Sequence, residues 1–249
     1  MDYLVFRLYG PMASWGQAAV GGDRPSGMAP GRGALLGLLC AALGIRRNQA
    51  DKLAWVSQNL VFSVKQQTEG GLMRDYHTVQ TPAQDKKYRH RMRKSELSGP
   101  KNKLNTVLSS RDYRTDGVWV VAVESMEVAD HDGNVLSLRA LQQALRQPAF
   151  PLYLGRKSCP LAVPLNPDIV SAKHPRQALD TEQKPIVASE RHWLRFSQHV
   201  TYYWQGEQDR LDGVTHKGVL SYHPWDDPVS RDRWQFGQRQ QHQLTVREA

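Results

Sequence analysis

Five apolar segments, in the order strand, helix, strand, strand, helix, constrain this chain more than any other feature. Residues 3–8 (YLVFRL) read as a buried strand ended by Gly10-Pro11. Residues 34–43 are nearly all apolar and stop at Gly44, the pattern of a helix packed on a sheet and closed by a C-terminal glycine. Residues 60–64 (LVFSV) are a second strand. Residues 118–123 (VWVVAV) are a third, with a hairpin partner expected near Val135 across an Asp132-Gly133-Asn134 turn. Ser137 can cap a helix that runs through Arg146 and is stopped by Pro148. This order predicts an α+β, ferredoxin-like domain, with one more strand due after the second helix. Residues 161–165 are its expected source, and Pro160 and Pro164 restrict it to an edge.

At 249 residues the chain fits one large domain or two small ones. The reading is a ferredoxin-like domain over 1–165 with a long insertion at about 80–114, followed by a smaller β-rich region over 166–249. Within the latter, residues 199–204 (HVTYYW) and 219–222 look extended.

The insertion carries the charge. Between Lys86 and Arg114 stand ten Lys or Arg residues against two acids, Glu96 and Asp112, which supplies +8 of the net +9. A charge concentrated in this way points to a polyanion held by counterion release. Arg89, Arg91, Arg93, Lys94 and Arg111 are the candidate contacts. Tyr76, His77, Tyr88, His90 and Tyr113 are interleaved with the cations, and planar rings beside Arg suit unpaired bases better than duplex. A membrane partner is not expected, because the longest apolar run, 34–45, is too short to span a bilayer. The start, MDYLVFRLYG, has no cationic leader pattern, and the two cysteines, Cys40 and Cys159, make no disulfide framework, so a cytoplasmic protein is expected.

Two further stretches suit an anion. In PLYLGRKSCPL, at 151–161, Gly155 would allow close backbone approach to a phosphate, with Arg156, Lys157 and Ser158 supplying donors. The Walker spacing is absent. Around Arg24 and Arg32 the chain is rich in glycine and ends at a helix N-terminus, where oriented amides can hold an anion; Trp15 in the same stretch suits a core plug. No CxxC, HxxxH or HExxH pattern supports a metal, and Asp130-His131-Asp132-Gly133 is an ordinary turn rather than a calcium loop. His77 with Tyr76 and a nearby Lys would be the residue types for general acid-base cleavage of RNA.

Taken together, LYGPMASWGQ (8–17), DRPSG (23–27), ALLGLLCAALGI (34–45), RDYHTV (74–79) and YLGRKSCPL (153–161) resemble the CasD family. These are the subunits of type I-E CRISPR Cascade complexes that hold the 5′ handle of the guide RNA, within the repeat-associated mysterious protein superfamily. Beyond Asn166 the resemblance thins to a pattern near Arg233, Phe236 and Arg239. It implies an RNA-recognition-like palm with a basic thumb at the insertion, gripping the bent crRNA 5′ handle. It also implies the Cascade backbone and large subunits as partners, with target DNA reached through the complex and no cofactor. By position it carries handle contact to Tyr76, His77, Arg111, Tyr153, Gly155, Arg156, Lys157 and Ser158. In the type I-E pattern a separate endonuclease processes the precursor, so a non-catalytic role is expected. The alternative is a metal-independent endoribonuclease, as in relatives of other subtypes. A third reading, an unrelated RNA-binding domain, lacks the aromatic RNP1 pattern.

Overall fold

Strand β1 (Asp2–Tyr9) is buried on both faces over six successive residues, which is why its sequence, Arg7 apart, is apolar on both faces rather than alternating. Leu4, Phe6 and Leu8 face the larger core, and Tyr3 and Val5 a second, smaller one. The computed structural model describes residues 1–68, 70–84, 89–130, 132–183, 185, 189, 194, 197–230, 233 and 235–247. After β1 the strands are β2 (Met12–Ala13), β3 (Asp23–Arg24), β4 (Leu60–Gln66), β5 (Gly71–Pro82), β6 (Leu104–Thr115), β7 (Val118–Ser125) and β8 (Asp168–Ser171). They continue with β9 (His199–Trp204), β10 (Leu220–Tyr222), β11 (Asp227–Ser230), β12 (Gln235–Gly237) and β13 (Gln241–Arg247). The helices are α1 (Arg32–Ala42), α2 (Ala50–Asn59), α3 (Arg93–Glu96), α4 (Leu138–Arg146) and α5 (Pro175–Leu179).

The architecture is α+β with mostly antiparallel sheets. Seven strands form one sheet in the order β10-β13-β9-β4-β7-β1-β8, every adjacent pair antiparallel. Helices α1 and α4 pack on one face with Trp15, Trp119 and Leu154, and α5 lies on the other. Trp15 is indeed a core plug, its ring edge-on to Trp119 at 5.1 Å. Helix α1 ends as expected: Gly44 has φ +75°, and its N–H donates to the carbonyl of Ala41. The Ser137 hydroxyl caps α4 by accepting from the N–H of Ala140.

Two expectations are corrected, and one helix was missed. The strand after α4 is β8, not residues 161–165. That earlier segment does follow β1, through Ala162 N–H to Tyr9 O and Arg7 N–H to Leu165 O, but Pro160 and Pro164 lack donors and a regular ladder begins only after Pro167. The turn at 132–134 forms, with Gly133 at φ +80°, yet it joins only Ala129 to Val135; β7 already has β1 and β4 on its two edges. Helix α2 was not legible. Only Val56 and Asn59 in it are buried, so it shows little apolar periodicity, and it is tied down by the Trp55 indole N–H donating to Val128 O.

Candidate nucleic-acid interface

The basic insertion is a hairpin arm rather than a loop. β5 and β6 pair over all twelve residues, from Gly71↔Thr115 to Pro82↔Leu104. The arm grows from the turn between β4 and β7. At its root Thr68 Oγ1 donates to Asp116 O and accepts from Val118 N–H, while Gly70 and Asp116 take positive φ. Twelve residues at about 3.3 Å each make it roughly 40 Å long. Its outer half is exposed on both faces, with Val79, Val107 and Leu108 in water, so nothing in the sequence alternates as a half-buried strand would.

Register decides which candidates meet. β3 runs parallel to β6 and sets Arg24 beside Arg111, with Asp75 across on β5. Residues in one such row share a face, as do residues two positions along. His77 and Tyr113 therefore join Arg24 and Arg111. The His77 Nε2 lies 2.6 Å from Asp75 Oδ2. Arg24 is exposed and its guanidinium donates to the carbonyls of Gly21 and Asp23. The exposed guanidinium of Arg111 makes no hydrogen bond or ion pair among the described residues. Tyr113 turns into the core at 7% exposure, and Arg156 covers its ring, 5.4 Å from the centroid. Tyr113 is thus corrected from a base-stacking platform to the seat of Arg156.

Arg156 belongs to a tight loop pinned by two buried plugs, Leu154 and Cys159. Leu154 N–H donates to Cys159 O at 2.8 Å, and Cys159 N–H to Arg156 O at 2.9 Å. Tyr153, Lys157 and Ser158 are left exposed. Gly155 is needed for a different reason than phosphate approach. Its φ is +84°, and a Cβ there would overlap the carbonyl of Ser14, whose N–H donates to Leu154 O. Gly155 fastens the loop to the end of β2, which pairs with the base of β6.

The other arm face is separate. Tyr76, 61% exposed, points away from His77, so the Tyr76 and His77 pair suited to acid-base chemistry does not assemble. Below it Ser110 Oγ donates to Asp23 Oδ1, and Arg74 forks onto Asp112 at 2.7 and 3.0 Å. The Arg74 hydrogen bond, helped by its charge, holds the Asp112 carboxyl below its ordinary value against burial. A depressed carboxylate contributes stability that is full above the unfolded value of about 3.9 and lost as pH falls through the folded one. Asp112→Asn is therefore expected to give a shallower acid limb below about pH 4 in urea unfolding. An acid limb of unchanged slope would show that this pair does not hold the arm's base.

Arg32 is corrected from an anion receptor to a brace. It donates to Asp227 Oδ1, Leu60 O, Gln205 Oε1 and the Ser57 carbonyl, and its backbone N–H donates to Asp226 Oδ2. The anion at the α1 N-terminus is thus the chain's own Asp226, which Arg239 forks at 2.6 and 2.8 Å. That accounts for Arg239 in the C-terminal pattern. Asp226 and Asp227 were the missed signal, as acids available to Arg32 and Arg239.

Arg89, Arg91, Arg93 and Lys94 sit at the far end of the arm, all exposed, and Arg93 bridges Glu96 and Gln80 O. Seven residue steps of β5 separate them from Arg111, roughly 23 Å. Lys86, Lys87 and Tyr88, like His131, lie outside the described residues. No helix among the described residues is long and apolar enough to cross a membrane.

Comparison with known proteins defines the class. Residues 3–242 match the family described as CRISPR-associated protein (Cas_Cas5), and the chain belongs to that family. It is 36% identical over 186 residues to the CRISPR system Cascade subunit CasD of Escherichia coli (strain K12), covering 72% of this chain and 75% of that one. A chain of a solved CRISPR RNA-guided surveillance complex shares the fold, with TM-score 0.65, 22% identity and coverage of 99% and 90%. A solved crystal structure of a Cas protein matches with TM-score 0.56 and 20% identity over 99% and 95%. The family expected from the sequence motifs is the family found.

Proposed function

We propose that this chain is the non-catalytic, RNA-binding subunit of a type I-E Cascade complex, gripping the crRNA 5′ handle and helping to assemble the complex for target-DNA recognition. Its setting is the cytoplasm, beside the backbone and large subunits. Strands β8-β1-β7-β4 then form a ferredoxin-like palm, since in chain order they stand fourth, first, third and second and are antiparallel throughout. The arm is the thumb, starting at Gly71 rather than at about 80 and ending at Thr115; the palm expected over 1–165 takes in β8 as well, and of the later strands β9, β13 and β10 extend the sheet at its β4 side.

One observation carries this reading: Arg24, Arg111, His77 and Arg156 reach one face at the arm's root from three separate segments, beside exposed Tyr153, Lys157 and Ser158. Planar guanidiniums there can pair with phosphates or stack on splayed bases. Tyr76 offers a ring on the opposite face, so a strand bent around the arm would meet both. A second reading, metal-independent cleavage of precursor crRNA, is favoured by the exposed His77–Asp75 pair at 2.6 Å. The purified chain incubated with precursor RNA and EDTA separates the two. The proposal expects bound but uncut RNA; scission at the repeat that disappears in His77→Ala would establish the enzyme.

A further inference from the structure

A groove of about 1120 Å³ runs along α1, between α2, residues 150–160 and strand β11. It touches the loop of Tyr153 and Lys157 but has a different lining from the arm's root. Leu36, Ile45, Leu53, Ala54 and Leu152 make it apolar, and Arg46, Arg47 and Lys157 stand among the lining residues with no Asp or Glu among the described ones. It is larger than the roughly 300–1,000 Å³ typical of small-molecule sites. An α-helix about 10 Å wide and 5.4 Å per turn occupies roughly 420 Å³ per turn, so the groove has room for two to three turns. Gly37 lies in mid-helix on this wall, exposed, with no atom within 4 Å of where its Cβ would stand. A mid-helix glycine costs about 0.5–1 kcal/mol relative to alanine, and no side chain among the described residues requires it.

Resting on the reading of this chain as a Cascade subunit, we propose that the groove seats an amphipathic helix of another protein subunit. The apolar stripe of that helix packs between α1 and α2, and its acidic residues meet Arg46 and Arg47. RNA is the poorer occupant. Bases need aromatic platforms, and of the two aromatic rings in the lining, Phe150 already lies under Arg46 at 5.8 Å, while Tyr153 stands at the end that borders the arm's root.

The test uses the chain co-expressed with guide RNA and the remaining Cascade subunits, with complexes purified through an affinity tag on this chain and weighed by native mass spectrometry. Gly37→Trp should retain guide RNA and lose one protein subunit at least tenfold in occupancy. Gly37→Ala should assemble normally and melt higher. Arg46→Glu with Arg47→Glu should weaken the same subunit, and reversing acids on its helix should restore it. A full set of subunits in both Gly37→Trp and the double reversal overturns the proposal. Loss of guide RNA instead, from a chain with wild-type melting, makes RNA the occupant. A wild-type chain that assembles with no guide RNA overturns the proposed function, and the groove assignment with it.

Discussion

Reversal of Arg24, Arg111 and Arg156 to Glu together is expected to lower affinity for single-stranded repeat RNA by at least about a hundredfold. A hydrogen bond to a charged group contributes about 1.5–3 kcal/mol, and each 1.4 kcal/mol is tenfold. Each phosphate contact also adds about −0.7 to the slope of log affinity against log salt, so the triple variant should flatten that slope by up to about 2. The fold should survive, because Arg24 and Arg111 are exposed and the arm's ladder is made of backbone. Reversing Arg89, Arg91, Arg93 and Lys94 at the tip should flatten the slope too, but with little change in preference for a handle-bearing RNA over an unrelated one. Electrophoretic or anisotropy titrations at several salt concentrations separate the patterns. A triple variant with wild-type affinity and slope would place the RNA elsewhere.

Gly155→Val is expected to damage the protein rather than merely obstruct RNA. A β-branched residue at φ +84° costs of order 1–3 kcal/mol in backbone strain, and forcing its Cβ against the Ser14 carbonyl adds about 1–3 more. Against a typical total of 5–15 kcal/mol, the midpoint of denaturation should fall clearly. Gly155→Ala should show most of the same loss, since the backbone conformation and the overlap begin at Cβ. A Gly155→Val protein that melts like wild type but loses RNA would return this glycine to the phosphate role suggested by its sequence context.

The sequence around Gly155 does not distinguish two causes for the glycine. A glycine between Leu154 and two cations has the same sequence signature whether its missing side chain makes room for a phosphate or for Ser14, 141 positions earlier in the chain. The same limit applies to Arg32, whose partners Asp226 and Asp227 lie almost two hundred residues away. Elements with a local cause were legible: β1, β4, β7 and α1 from their apolar runs, and α4 from its Ser137 cap. The arm was legible as charge but not as a hairpin, because strands exposed on both faces carry no period-two signal. Arg24 and Arg111 were both named as candidates from sequence, yet their adjacency is a product of the parallel β3–β6 pairing, which no local pattern announces. The division of Tyr76 from His77 followed from strand geometry, once residues 74–79 were known to be extended.

Photocrosslinking tests the central claim most directly. Guide RNA carrying 4-thiouridine at one position at a time, assembled into the complete complex, can be irradiated and the linked peptides of this subunit sequenced. The account predicts that the 5′ handle nucleotides link to peptides containing Tyr76–His77, Arg111 and Tyr153–Ser158, while positions toward the 3′ end do not. Handle nucleotides that link only to other subunits, with this chain joined to RNA solely through the arm tip around Arg89–Lys94, would contradict it.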